Sequence, residues 1–382
     1  MKINWMNSRA GKPNIAYIDQ LTWLRGIAAF FVIVSHTSNA TKVKYTEADE
    51  LSDIFLVTLF DLGSFGVVLF FVLSGCTLYI SNAEKVSLSN IPSFYTKRFF
   101  RIWPAFFVSL LIYISFSYIF SSWYIQPEGH WIEDQYLLSY STFDLFSYLT
   151  LTFNIAGPEG LFNNAYWSLP VEFQYYLLFP AIIFSLKYAG IAGPLLLGIG
   201  LFLIPKLGIA DFDENRVFTL AFSFCGGVLV GYFYKISHFR LHSIVGIILL
   251  SALTLFSSAI SNSYISLPNV PILSGIWNWY GILAIASVYI MLISKFTIHH
   301  RIERLLKHYG TISYSTYLYH NLFIAISVLF IIHFGIHDGN LRLLVTFLFT
   351  LMASYLAAYL SYKYIESPAI KLGRTILQHR VR

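Results

Sequence analysis

Two cysteines in 382 residues, Cys76 and Cys225, leave no disulfide framework and no cysteine-based metal spacing. Both lie in apolar stretches and read as packing, with an acyl-carrying thiol at Cys76 as the alternative. Charge is scarce too. Asp, Glu, Lys and Arg make up 12% of the chain, against about 25% in soluble domains. That shortage excludes a large soluble enzyme. There is no P-loop, no G-x-G-x-x-G turn and no H-E-x-x-H, so the common nucleotide and zinc chemistries lack their motifs. No internal repeat, low-complexity tract or appended soluble domain is visible, and residues 1–382 read as one domain. The net charge of +6 is explained without nucleic acid, because Lys and Arg of membrane proteins gather in cytoplasmic loops.

Apolar residues are what the chain has in abundance: 57% hydrophobic and 18% aromatic, with a mean hydropathy of +0.64. A bilayer core of about 30 Å takes about 20 apolar residues per helix. Ten segments qualify: 21–39, 54–80, 103–123, 170–187, 189–205, 215–234, 242–260, 273–294, 312–334 and 341–364. The fifth is short, and Gly190 and Gly193 blur its start. The expected fold is an all-α integral membrane protein of about ten transmembrane helices with cytoplasmic N- and C-termini. Charge supports that count. With strict alternation, all but Lys42, Lys44, Lys206, Arg216 and Arg342 of the 25 basic residues fall on the inner side. A signal peptide ending near "TSNA" is the disfavoured alternative for the first segment. The longest outer loop, about 124–165, is acidic and rich in Trp and Tyr, as an interfacial or sugar-facing surface would be.

Polar residues inside these segments need a reason. Arg25 and His36 are 11 positions apart, hence on one helix face and about 16 Å apart along its axis. Singly, they read equally as a snorkelling arginine and a capping histidine. Arg98 and Arg101, at i and i+3, suit either phosphate recognition or cytoplasmic anchoring. Glu172 enters the fourth segment at the depth expected of His36, where a carboxylate would orient the imidazole. Tyr314, Tyr317 and His320 form one polar-tipped stripe of the ninth segment, which also suits a hydrogen-bonded core histidine. Glu366 and Pro368 are expected to end the last helix, with Glu366 facing the inner arginines.

Five stretches in register resemble the acyltransferase 3 family of bacterial membrane O-acyltransferases, over about residues 17–374. They are "RGIAAFFVIVSH", "FFVLSGC", "RFFR", "WSLPVEFQYYLLFP" and "ISYSTYLYH". Two acidic positions common in the family are lost, to Thr22 in "LTWLRG" and to Val68, which puts a role for those carboxylates in doubt. The resemblance implies a multi-pass protein of the bacterial inner membrane. It implies transfer of an acetyl group from cytoplasmic acetyl-CoA to a hydroxyl of a cell-surface polysaccharide or lipid-linked oligosaccharide. It also implies no permanently bound cofactor and no metal. His36 and Glu172 are the expected catalytic residues, and Arg25, Arg98 and Arg101 the expected donor-binding residues. Tyr314, Tyr317, His320 and Glu366 are expected in support. The expected partners are acetyl-CoA, the glycan acceptor and membrane lipids. The alternatives are a transporter or flippase of a lipid-linked glycan, which predicts helices broken at the midplane, and a non-catalytic scaffold.

Overall fold

The structure is a computed structural model, and it describes residues 18–41, 61–123, 139–207, 216–262, 265 and 275–379. Among these residues nine helices are long and apolar enough to cross a bilayer, and Ala192–Pro205 is a shorter apolar helix. The expected ten segments are thus nine full-length spans and one short one. Lys42, Lys44, residues 54–60 of the second segment and 124–138 of the long loop lie outside the described residues.

In chain order, α1 is Asp19–Thr41, α2 is Gly63–Asn82 and α3 is Ile91–Trp123. The short α4, Thr142–Leu149, starts at a capping box in which Ser141 and Asp144 satisfy each other's backbone N–H groups. Then follow α5 (Ser168–Ala189), α6 (Ala192–Lys206), α7 (Ala221–Ile236), α8 (Ser243–Ser261) and α9 (Ile276–Ile293). An amphipathic helix, α10 (His300–Thr311), leads into α11 (Ser313–His333) and α12 (Gly339–Ser361). A π-helical turn, Tyr362–Glu366, joins α12 to α13, Ser367–His379. The only strand pairing among the described residues is two residues long, Leu241–His242 beside Ser294–Lys295.

Neighbouring α1 and α2 run antiparallel, with Gly63 at the start of α2 against Ser35 near the end of α1 and Gly66 against Ala28. Lys235 at the end of α7 meets Glu84 just past α2 at 3.1 Å, and Lys307 of α10 meets Asp19 of α1 at 2.8 Å. These pairs, with the short strand pairing, gather at one end of the bundle, which we call the basic end.

At the centre, α1 packs against α2, α10, α11 and α12. α8 lies on the periphery, with Ile244 and Ile248 exposed, as suits a helix whose outer face meets lipid. Lipid tails give no hydrophobic drive between helices, so close contact relies on small residues. At Gly227 of α7 an added Cβ would sit 2.1 Å from the Val72 carbonyl oxygen of α2. Gly227→Val is therefore expected to force α2 and α7 apart at a cost of about 1–3 kcal/mol. The thermal midpoint of the detergent-purified protein, read by fluorescence-detected gel filtration, should fall; an unchanged midpoint would refute the close-packing argument.

Two segment ends differ from expectation. The third segment starts at Ile91, so Lys97, Arg98 and Arg101 lie within α3 rather than before it. The last helix does not stop at Pro368. The π turn inserts a wider coil, and the helix continues through Pro368 into α13.

Candidate functional site

A cavity of about 430 Å³ opens among the helices at the basic end. Arg25 comes to it from α1, Arg98 and Arg101 from α3, Glu172 and Tyr176 from α5, and Tyr314 and Tyr317 from α11. Lys371 and Arg374 of α13 complete it. Charge lines it because these positions are helical neighbours: 98 and 101, like 371 and 374, are three apart and share a face.

Each group is held differently. Arg101 Nη1 meets Glu366 Oε1 at 2.6 Å, and Glu366 is 1% exposed. Ser315 donates to the other Glu366 oxygen at 3.0 Å. The π turn is what brings this carboxylate inward, one residue before α13 resumes ordinary helical register. Arg98 makes no such pair. Its guanidinium lies over the rings of Phe94 and Tyr176, at 5.5 and 5.6 Å, and its buried Nε has no hydrogen-bond partner. Glu172 accepts from the Ser74 hydroxyl at 3.0 Å and from the Tyr176 hydroxyl. Tyr314 donates to the Ile102 carbonyl at 2.9 Å, fixing α11 to α3.

Tyr317 and Ser168 line the end of the cavity away from α13. The Tyr317 hydroxyl donates to the Ala165 carbonyl at 2.5 Å and lies 2.7 Å from Ser168 Oγ. One turn further along α11 is His320, which is fully buried. Its Nδ1 is 2.8 Å from the Tyr317 carbonyl and its Nε2 is 3.0 Å from Nδ1 of His36. His36 Nδ1 is also 3.0 Å from Asn321 Oδ1. Asn321 in turn donates to Asn163 at 2.8 Å, and Asn163 donates to the Leu318 carbonyl at 3.1 Å.

These partners fix the tautomers. A carbonyl only accepts, so Nδ1 of His320 carries the proton and the neutral ring presents a lone pair at Nε2. Nδ1 of His36, facing that lone pair and an amide oxygen, must be the N–H. The lone pair of neutral His36 is then on Nε2, the nitrogen left for chemistry.

The structure brings together most of the residues singled out from the sequence, but in two groups. Arg25, Arg98, Arg101, Glu172, Tyr314 and Tyr317 share the cavity, with Glu366 behind Arg101. His36 and His320 form the second group. The expected pairing of His36 with Glu172 is corrected: His36 bonds to Asn321 and His320, and Glu172 to Ser74 and Tyr176. The reason is depth. Ser168 is level with Tyr317, where their hydroxyls meet; Glu172 is one turn towards the basic end and His320 nearly one turn the other way. Helical rise puts them about 10 Å apart along the bundle. The expected fork of paired guanidiniums is also altered, since Arg101 is engaged by Glu366.

Sequence reasoning missed Asn163, Asn321, Ser74 and the Lys371–Arg374 pair. Asn321 follows His320 directly, and a second polar residue at that depth was a readable signal. Lys371 and Arg374 repeat the i, i+3 spacing of Arg98 and Arg101. Asn163 lies in a loop with no periodicity and offered none. Among the described residues the spans run unbroken through their middles, apart from Leu220 between Arg216–Thr219 and α7, so broken midplane helices of the transporter kind are not prominent.

Known proteins resemble this chain in sequence. The Acyl_transf_3 family model, an acyltransferase domain, matches residues 16–362. The peptidoglycan O-acetyltransferase OatA of Listeria monocytogenes is 26% identical over 345 residues, 81% of this chain and 52% of that protein. Acyltransferase MdmB of Streptomyces mycarofaciens is 30% identical over 171 residues, 44% of this chain and 40% of that one. A match to an uncharacterized protein of Haemophilus influenzae, 35% identical over 121 residues, covers 30% of this chain and 47% of the other. The chain thus spans about half the length of the curated relatives it matches, or less. No solved structure matches it. With nearly its whole length under one family model and that family's motifs converging on a cavity and a histidine pair, this multi-pass membrane protein belongs to the acyltransferase 3 family.

Proposed function

We propose that the protein is a membrane O-acyltransferase that moves an acetyl group from acetyl-CoA to a hydroxyl of a cell-surface polysaccharide or lipid-linked oligosaccharide. The observation that carries this reading is the division of the bundle. A cationic cavity occupies one end and a tautomer-fixed histidine lies beyond it. Coenzyme A is a polyanion, and Arg25 and Arg98 are suited to its phosphates. The basic end, on this reading, faces the cytoplasm, in line with the bias of Lys and Arg.

At the other end, Nε2 of His36 takes the proton of the acceptor hydroxyl as its oxygen attacks the thioester carbonyl. The oxygen–carbonyl bond forms, the carbon–sulfur bond breaks, and the coenzyme leaves as a thiolate that takes up the proton. The imidazolium formed on the way keeps Nδ1–H towards Asn321 Oδ1 and the His320 lone pair, which steadies its charge. No carboxylate is needed for this. The pantetheine arm is the part of the donor that spans the rise of about 16 Å between Arg25 and His36.

Acetyl-radiolabelled coenzyme offered to membranes that contain the protein and lipid-linked oligosaccharide should put label into a base-labile ester. A transporter would leave none, and label-free glycan in the presence of intact protein would refute the reading.

A further inference from the structure

The cavity holds more positive charge than the family's motifs supply. Arg25, Arg98, Arg101, Lys371 and Arg374 line it, against the carboxylate of Glu172 and that of Glu366 behind Arg101. Three positive charges are left over in a site walled by aromatic rings and aliphatic chains. A cleft of one sign between low-dielectric walls focuses its field and draws in anions of matching charge.

Lys371 and Arg374 have a particular place. Both are exposed at the edge of the cavity, and no ion pair to either occurs among the described residues. The helix that carries them is fixed rather than free. At Gly373, between them, an added Cβ would come within 2.9 Å of the Phe100 ring of α3. Just before α13, the Arg101–Glu366 pair ties the π turn to α3 as well. Lys371 and Arg374 follow Glu366 by five and eight residues, about 7 and 12 Å of rise along the helix from the carboxylate that holds Arg101. Among the cavity's cations they are the exposed ones, whereas Arg25, Arg98 and Arg101 are half-buried.

A phosphorylated thioester donor has its own far end, a ribose phosphate, at the opposite extreme from the sulfur. We infer that Lys371 and Arg374 form a rim that binds this terminal phosphate and sets the protein's preference for coenzyme A over its dephosphorylated form. The inference rests on the acyl-CoA reading above. The two side chains act as a pair, one compact ammonium and one planar fork, on a dianion. Arg98, deeper and already stacked on Phe94 and Tyr176, is left for the diphosphate.

Calorimetric titration of the purified full chain in detergent tests this, with coenzyme A and 3′-dephospho-coenzyme A as probes. The wild type should bind coenzyme A at least tenfold more tightly than the dephospho form. Lys371→Gln with Arg374→Gln should bind coenzyme A at least tenfold more weakly while changing dephospho-coenzyme A less than threefold, so that discrimination vanishes. Lys371→Arg with Arg374→Lys should keep most of it. Equal losses for both probes would mean that the two residues merely hold α13 in place, and would overturn the inference. So would wild-type discrimination in the Gln variants. A rim for lipid headgroups would show itself in nanodiscs: added phosphatidylglycerol would then abolish the difference between wild type and variant. If the wild type binds neither probe, the donor reading falls as well.

Discussion

His36→Ala is expected to lower acyl transfer by about 10²–10⁴-fold, the usual worth of a positioned general base, while the protein still inserts and purifies. The ring is held by two contacts on one nitrogen, Asn321 Oδ1 and His320 Nε2, both at 3.0 Å, and both leave Nε2 for the acceptor. No other buried imidazole among the described residues can take over. His320 is the nearest, and its Nδ1 proton is engaged by the Tyr317 carbonyl. His320→Ala should cost less, because Asn321 still holds His36. The double variant should fall no further than His36→Ala alone, as expected of residues that act as one unit. Label incorporation from acetyl-CoA, normalised to protein in the membrane, reads all three. Wild-type rates from His36→Ala would remove the base from the mechanism, and additive losses would separate the two histidines.

Glu366→Ala is expected to be the most destabilising single change at the site. It leaves Arg101 without its carboxylate in a region where Glu366 is almost wholly buried. Removing one partner of a buried pair costs about 3–5 kcal/mol. With the Arg101 side chain 31% exposed, the lower end of that range applies. Ser315 loses one of its two acceptors in the same step and keeps Ser361 Oγ at 3.2 Å. The thermal midpoint in detergent and the yield extracted from membranes should both drop. Arg101→Met with Glu366→Met removes both charges and should restore most of the stability, since apolar replacement of a buried pair is often neutral. Donor binding should stay weakened, which separates the structural part of Arg101 from its place at the cavity. A single Glu366→Ala protein as stable as wild type would show that the pair does not hold the π turn.

The helices were legible in the sequence because each crossing takes about 20 apolar residues, and that length is written directly in the chain. Their ends were less so. Lys97, Arg98 and Arg101 read as a flanking loop, yet α3 runs back through them to Ile91, since a helix that leaves the hydrocarbon need not be apolar. Pro368 reads as a stop, yet a π turn takes the helix past it. The Arg101–Glu366 pairing was foreseeable from charge alone, as an intramembrane carboxylate needs a partner. The His36 partner was not. Periodicity gives the face of a residue on its own helix and roughly its depth, but not which neighbouring helix that face meets. Glu172 and His320 were both polar groups near the right depth, and only packing of α11 against α1 selects His320.

The hydroxyl bridge from Tyr317 to Ala165 and Ser168 has an electrical consequence. Moving one elementary charge across 100 mV is worth about 2.3 kcal/mol, so a polyanion drawn through an energised membrane would work against or with that voltage at every turnover. The hydroxyl bridge stands between the cations and the far surface, with the paired imidazoles beyond it. On the proposed reading, phosphates lodged among the arginines stay on one side of the bridge, and only the uncharged pantetheine arm with its acyl group reaches past it.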